Sequence, residues 1–226
     1  VRGVRAGITS AHGLIAHGRG EAFDYLLGEK TTKNAARAEE AAAASLLLAR
    51  HPVISVNGNA AALCPKEIVE LAREANAKIE VNLFHRTRRR AIKIAKLFAR
   101  LGAKIEGVSP NKTLPGIHSA RARVSSKGIW KADGVLVPLE DGDRTAALKK
   151  LGKKVIAIDL NPLSRTARSA DITIVDNITR AIPNITKKIK KLKNKPRGAL
   201  ERAVRNFDNA RNLRESEMLI RKGFIK

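Results

Sequence analysis

Five short, nearly unbroken runs of β-prone apolar residues constrain this chain more than any other feature: Val53–Val56, Ile79–Phe84, Val135–Leu139, Val155–Leu160 and Ile172–Val175. A strand with one wet face alternates apolar and polar residues. Most of these runs carry apolar side chains on both faces, as parallel strands covered above and below do. Helical patterns at Ala35–Arg50, Pro65–Ala75, Thr87–Leu101 and Thr145–Leu151 precede and separate them. The repeat of strand, helix and strand, with right-handed crossovers, predicts an α/β fold: one open, mostly parallel sheet with helices on both faces. Ligands of such sheets bind in the crevice beyond the carboxyl ends of the strands, and functional residues are expected there.

A length of 226 residues is compatible with one α/β core. The stretch Gly107–Ala122, with Pro110, Pro115 and Gly116, reads as a loop over the sheet's edge that could act as a lid. Residues 1–185 form the expected ligand-binding domain. Residues 186–226 hold a basic run to Arg197 and a helix from about Gly198 to Ile220, expected to pack on that domain or on a second subunit. Lys and Arg number 45 against 21 Asp and Glu, a formal net charge of +24, so partners should be anions, whether nucleic acid, acidic membrane or phosphorylated metabolite. The single Cys64 excludes an intramolecular disulfide framework and is expected in the core. No apolar run approaches the roughly 20 residues of a membrane helix, which makes the cytoplasm the expected location.

Four clusters carry possible chemistry. Around Gly13–Asp24, Arg19 lies between Gly18 and Gly20, and His17 precedes them. This reads either as a phosphate-binding loop, with the guanidinium fork and close backbone approach that phosphate favours, or as an ordinary turn opening a helix at Glu21–Leu27. Val53–Leu63 runs from a strand into Asn57, Gly58 and Asn59, either a ligand-holding strand end or an Asn-Gly turn. Glu140, Asp141 and Asp143, with Arg144 beside them, end another strand. These acids could meet Mg²⁺, accept an amine substrate's ammonium, or cap the next helix. Asp159, Leu160, Asn161, Arg165 and Thr166 follow a further strand in a nucleotide-like pattern, an acid for a ribose hydroxyl and an arginine for phosphate. Asn177 and Ile178 end the last strand and should border the same crevice. The sequence contains neither a G-x-x-x-x-G-K-[ST] loop nor a G-x-G-x-x-G after a strand, so a P-loop ATPase and a standard dinucleotide fold are unsupported. It also shows no metal-ligand histidine pair.

Taken together, the segments Gly13–Gly28, Pro52–Asn59, Val135–Thr145, Ile158–Ala167 and Ile174–Pro183 closely resemble archaeal phosphopantothenate synthetase, over about residues 3–185. The resemblance implies a Rossmann-like homodimer. It would join 4-phosphopantoate to β-alanine on the archaeal route to coenzyme A, cleaving ATP to AMP and diphosphate through an acyl adenylate. It further implies that ATP is held by Arg19, by Asp159, Leu160 and Asn161, by Arg165 and Thr166, and by Asn177 with Ile178. Lower-ranked expectations place His17, Asn57 and Asn59 near phosphopantoate and count Arg144 and Glu140 among the substrate-binding residues. Glu140, Asp141 or Asp143 would then meet the β-alanine ammonium or the Mg²⁺ that accompanies ATP. The sequence opens on Val1 rather than methionine, and the family carries a further ATP-contacting arginine on a short segment ahead of that point.

One feature exceeds what a metabolic ligase needs: Arg86, Arg88, Arg89, Arg90, Lys93, Lys96 and Arg100 crowd one helix. A solvated face explains part of it, with Ile94, Phe98 and Leu101 turned to the core. The rival reading is an RNA- or DNA-binding protein using that helix and Lys187–Arg197, although aromatic residues are only 3% of the chain and leave few stacking platforms. A nicotinamide-dependent dehydrogenase, the second rival, lacks its glycine fingerprint.

Overall fold

The protein's structure, a computed structural model, describes residues 1–222. Strands β1 (Pro52–Val56), β2 (Lys78–Val81) and β3 (Ile105–Glu106) are followed by a short antiparallel pair, β4 (Lys112–Thr113) and β5 (Arg123–Val124). Strands β6 (Gly134–Pro138), β7 (Lys154–Ile158) and β8 (Ile172–Ile174) complete the set. The six long-range partners form one parallel sheet in the order β3-β2-β1-β6-β7-β8. The chain starts at the centre, winds outward to β3, then returns to begin the other half at β6. The sheet is therefore doubly wound with a switch between β1 and β6, where a crevice must open.

The helices are α1 (Arg2–Arg5), α2 (Ala11–Leu27), α3 (Lys33–Leu48), α4 (Gly58–Leu63), α5 (Pro65–Glu74), α6 (Arg88–Arg100), α7 (Gly142–Lys150), α8 (Arg165–Ser169), α9 (Ile178–Leu192), α10 (Arg197–Arg205) and α11 (Asn209–Lys222). Successive strand side chains face opposite layers. Ile54, Val56, Leu136, Ile156 and Ile158 join a core with α3, α5, α6 and α9, whereas Val53, Val135, Val137, Val155 and Ala157 pack on Leu148 of α7 and on Leu114, Val124 and Ile129. In α3, Ala38, Ala41, Ala42, Ala43 and Ala44 are all buried, and their small side chains let α9 and α10 approach it closely.

The expected layered α/β architecture and its C-terminal helices are present. Several boundaries differ. The run Ile79–Phe84 is strand only to Val81, because the buried Asn82 turns aside to donate its side-chain amide to the carbonyls of Arg121 and Arg123. Strand β6 stops at Pro138, since Leu139 adopts φ 52°, outside any strand conformation. Neither reading of Gly13–Asp24, as a loop or as a turn before Glu21, describes the molecule: α2 is continuous from Ala11 to Leu27. The loop expected at Gly107–Ala122 contains β4 and a 3₁₀ turn at Ala120–Ala122. Half of the basic run after Pro183 belongs to α9, which passes through that proline because Ile178, Ala181, Ile182, Ile185 and Ile189 form a buried stripe. The single helix expected near 198–220 is two, broken before Asp208, whose carboxylate accepts the Arg211 N–H at 3.0 Å.

Candidate functional site

The carboxyl ends of β1 and β6, on either side of the strand-order switch, are tied together by one side chain. Asn57 donates both Nδ2 hydrogens, to the carbonyls of Pro138 and Leu139 at 2.9 Å each. Its Oδ1 accepts the N–H groups of Asn59 and Ala60, both at 3.0 Å, and so caps α4. Every donor and acceptor of this amide is thereby occupied. The clip helps hold Leu139 in its left-handed conformation, strain of the kind that concentrates at functional sites. Leu139 in turn delivers Glu140 and Asp141 to the rim of the crevice.

Beneath the rim lies a cluster of charges. Glu140, its side chain 2% exposed, pairs with Arg144 and with Arg121. Asp141 accepts the Arg144 N–H at 2.9 Å, capping α7, and its other oxygen meets Arg121 at 3.0 Å. Arg144 is fully buried and also donates to Ser55 Oγ at 3.2 Å. Burial lowers both guanidinium groups to about 10, with Asp141 opposing the shift at each and Glu80 opposing it at Arg144, so both remain charged at neutral pH. Glu80, also in this layer, is pushed up to about 6 by burial despite accepting the N–H groups of Ser125 and Ile129. Breaking one member of such a buried network leaves an uncompensated charge, a cost that locks the rest in place.

Helix α2 forms the roof. Its amino-terminal half is held to β1 through Asn59, which donates to the Gly13 carbonyl at 2.9 Å and accepts the Thr9 hydroxyl. Its carboxyl half reaches β8, where Asn177 donates to Glu21 and Asp24 at 2.9 Å each, and Arg180 joins Asp24 to Asp176. Between these anchors, a methyl group placed on Gly20 would lie 3.7 Å from Leu160 at the end of β7. The helix thus runs across the carboxyl ends of the sheet, and its Ser10, Gly13, Ala16 and Arg19 line a cavity of about 370 Å³ shared with Asn57, Asn59, Glu140 and Asp141. A second cavity of about 830 Å³ adjoins it, sharing Phe84 and Asp141, and is lined by Pro115–Ser119, Asp143 and Arg165.

The expected site residues divide accordingly. Arg19, Asn57, Asn59, Glu140 and Asp141 meet in the first cavity, and Asp143 and Arg165, which pair with each other at the surface, border the second. Thr166 donates its hydroxyl to the Glu140 carbonyl at 2.8 Å, fastening α8 to the end of β6. Asp159 accepts from the Asn161 N–H at 3.0 Å and from the Ser164 hydroxyl, with burial raising its carboxyl. Leu160 and Ile178 are core residues beside the crevice. His17 lies off the cavity wall, 3.3 Å from Glu21, and Arg144 is sealed beneath the floor.

Thr9, Ser10, His12, His85 and Arg121 also line the first cavity and do not stand out in the sequence, and Arg90, one of the crowded basic residues, lines it with them. Arg121 is one cation among 45, with no local pattern to mark it. The basic cluster has a structural use as well: Arg86, just ahead of α6, donates to the carbonyls of Gly107 and Val108, and within the helix Arg90 donates to those of His85 and Ile8 and Lys93 to that of Ala6. Ile94 and Phe98 face the core as expected. No described helix is long and apolar enough to cross a membrane.

A family model described as phosphopantothenate/pantothenate synthetase matches residues 34–223. The 4-phosphopantoate–β-alanine ligase of Thermococcus onnurineus is 54% identical, the match covering 100% of this chain and 87% of that protein. The ligase of the same name from Thermococcus kodakarensis is also 54% identical, over 98% of this chain and 85% of its own. That from Methanosarcina mazei is 54% identical over 95% and 85% respectively.

Proposed function

Because the chain belongs to the phosphopantothenate/pantothenate synthetase family, we propose that it is an ATP-dependent ligase that joins 4-phosphopantoate to β-alanine, supplying 4′-phosphopantothenate for coenzyme A synthesis. The observation that supports the reading is the course of α2, whose Arg19 lines a cavity with residues at the ends of β1 and β6 and whose later turns pass the ends of β7 and β8. Those strand ends bear Asn57, Glu140–Asp141, Asp159–Asn161 and Asn177.

The chemistry follows from the charges. The pantoate carboxylate attacks the α-phosphorus of ATP, diphosphate leaves, and an acyl adenylate forms. The uncharged amine of β-alanine then attacks the acyl carbon, AMP leaves, and the amide remains after loss of a proton. Two anions must first be brought together, and guanidinium groups offset that repulsion and stabilise charge developing on phosphorus. Arg19 is exposed and has no carboxylate partner among the described residues, which leaves its fork available to the nucleotide. Arg165 borders the adjoining cavity, where it pairs with Asp143. Asp159 and Asn161 would take the ribose, and the turn at Asn177 and Ile178 the remainder of ATP.

Mg²⁺ would arrive with the triphosphate and shield its charge. No trio of His, Cys, Asp or Glu among the described residues is arranged to hold an ion by itself. Glu140 and Asp141 are engaged with the buried Arg121 and Arg144, whereas Asp143, its side chain 71% exposed, pairs with a similarly exposed Arg165 and is assigned to the β-alanine ammonium or the ion. We further propose a cytoplasmic homodimer. Arg19→Ala should abolish ATP-dependent ligation while leaving the thermal transition in place, and near-normal turnover in that variant would remove Arg19 from the site.

A further inference from the structure

The fold treats the chain's two basic runs differently. Lys187–Arg197 is largely neutralised: Lys190 pairs with Glu70 at 2.6 Å, Lys193 with Glu74 at 3.1 Å, Lys188 with Glu40 at 4.0 Å and Arg197 with Glu201 at 2.9 Å. The run that feeds α6 is not. From Val81 to Ile105 the chain holds eight Lys and Arg and no Asp or Glu, and α5, which packs on both α6 and α9, gives Glu70 and Glu74 to α9. We propose that the outer face of α6, continued by Arg5 and Lys104, docks the phosphate backbone of single-stranded RNA without regard to its base sequence. This surface is distinct from the crevice assigned to ligation, and its cations Arg89, Lys93, Lys96 and Arg100 line neither cavity there.

Those four cations stand at i, i+4, i+7 and i+11, one face of a 3.6-residue helix, and span roughly 16 Å at the helical rise of 1.5 Å per residue. Arg89, Lys96 and Arg100 are exposed and Lys93 is half-buried, and none of the four has a carboxylate partner among the described residues. Lys93 donates to the Ala6 carbonyl at 3.1 Å, which fastens the end of α1 to α6 and brings the exposed Arg5 beside the stripe. Apart from the backbone contacts of Lys93 and Arg90, folding gains nothing from this arrangement. Like charges four residues apart repel, and Arg88, Arg89 and Arg90 occupy the first turn, at the positive end of the helix dipole, where carboxylates are favoured. A polyanion laid along the stripe relieves both penalties and releases its own counterions as it binds.

The surroundings select the polyanion. The apolar side of α6, with Ala91, Ile94 and Phe98, is buried, and Ile92, 37% exposed, is the one large apolar residue that the outer face offers, so the helix has no apolar face to lay into a bilayer. Three residues ahead of the N-cap Thr87, the Phe84 ring is 52% exposed, with His85 edge-on to it at 4.9 Å, a platform on which an unpaired base can stack. Bases inside a duplex cannot reach such a ring. The surface therefore suits a single strand, and RNA is the single-stranded nucleic acid that cells hold in quantity.

Fluorescence anisotropy on the full chain, with two unrelated single-stranded RNAs of about 20 nucleotides and across roughly 50 to 200 mM salt, tests the assignment. Wild type should bind both RNAs alike, with Kd of about 1–100 μM at physiological salt. The triple variant Arg89→Gln, Lys96→Gln, Arg100→Gln should bind about 10- to 100-fold more weakly, and its slope of log affinity against log salt should be shallower by about 2, from three phosphate contacts at about 0.7 each. The same loss of charge on α9, in Lys188→Gln, Lys190→Gln, Lys193→Gln, should weaken binding less than about 3-fold, a contrast that separates a surface from a net charge. Ligation measured alongside should be the same in the α6 variant as in wild type, because none of its three positions lines either cavity, so the two activities are read separately. Equal weakening by the two triple variants, no binding by wild type at physiological salt, or tighter binding to a DNA duplex, to phosphatidylglycerol vesicles or to polyglutamate would overturn the assignment.

Discussion

Asn57 gives the sharpest structural forecast, because one amide makes four bonds at the point where the halves of the sheet meet. Asn57→Ala removes the cap of α4, at about 1 kcal/mol. It also leaves the carbonyls of Pro138 and Leu139 without their donor in a site where Asn57 is buried, at about 1 kcal/mol apiece. The total is about 3 kcal/mol, or a fall of roughly 6–12 °C in Tm for a chain of this size. Asn57→Asp separates the two contributions. It keeps an oxygen to cap α4 but turns a carboxylate toward the two carbonyls, so it should be no more stable than Asn57→Ala. Both variants release Leu139 from φ 52° and so displace Glu140 and Asp141, and ligation should fall further than the loss of folded protein explains. Chemical denaturation, scanning calorimetry and steady-state turnover on the three proteins measure all of this. A Tm for Asn57→Asp within about 2 °C of wild type would refute the reasoning, since a change that small lies below one kcal/mol.

Two further outcomes rest on other parts of the molecule. Burial pushes the Glu39 carboxyl from 4.5 up to about 7 even though Asn184 donates to it. The folded state therefore holds this proton more tightly than the unfolded chain. Its contribution is fully present below pH 4.5 and is lost as pH rises through 7, by up to roughly 3 kcal/mol. The difference in unfolding free energy between wild type and Glu39→Gln, measured in denaturant across that range, should follow this slope, and a pH-independent difference would contradict it. Gly18 sits inside α2, and a methyl group added there would meet nothing within 4 Å, so Gly18→Ala should stabilise the protein by about 0.5–1 kcal/mol without loss of turnover. A lower Tm or a collapse in activity would mean that this turn of α2 needs its glycine.

The strands were legible because burial on both faces demands unbroken apolar runs, and that demand is written locally in residues such as Val53–Val56 and Val155–Ile158. Motif order then marked the strand ends that line the crevice. Helix α2 was illegible for the opposite reason. Gly13, Gly18 and Gly20 weaken its local propensity, and what holds it helical is distant: Asn59, Asn177 and Arg180 reach it from elements 46, 153 and 156 residues away. Strands of two residues, as in β3, β4 and β5, show no periodicity to detect. Arg121 failed to stand out, and Arg90 showed only as one of a basic cluster, because in a chain so basic a cation is marked by what the fold buries around it. Pro183 lies inside α9, whose apolar stripe carries the helix through it.

Nucleotide products resolve the proposed chemistry in one assay. With ATP, 4-phosphopantoate and β-alanine together, AMP should accumulate in step with the amide product, and omitting any one of the three should stop it. ADP in place of AMP, or AMP released at the same rate without β-alanine, would contradict an acyl adenylate captured by the amine.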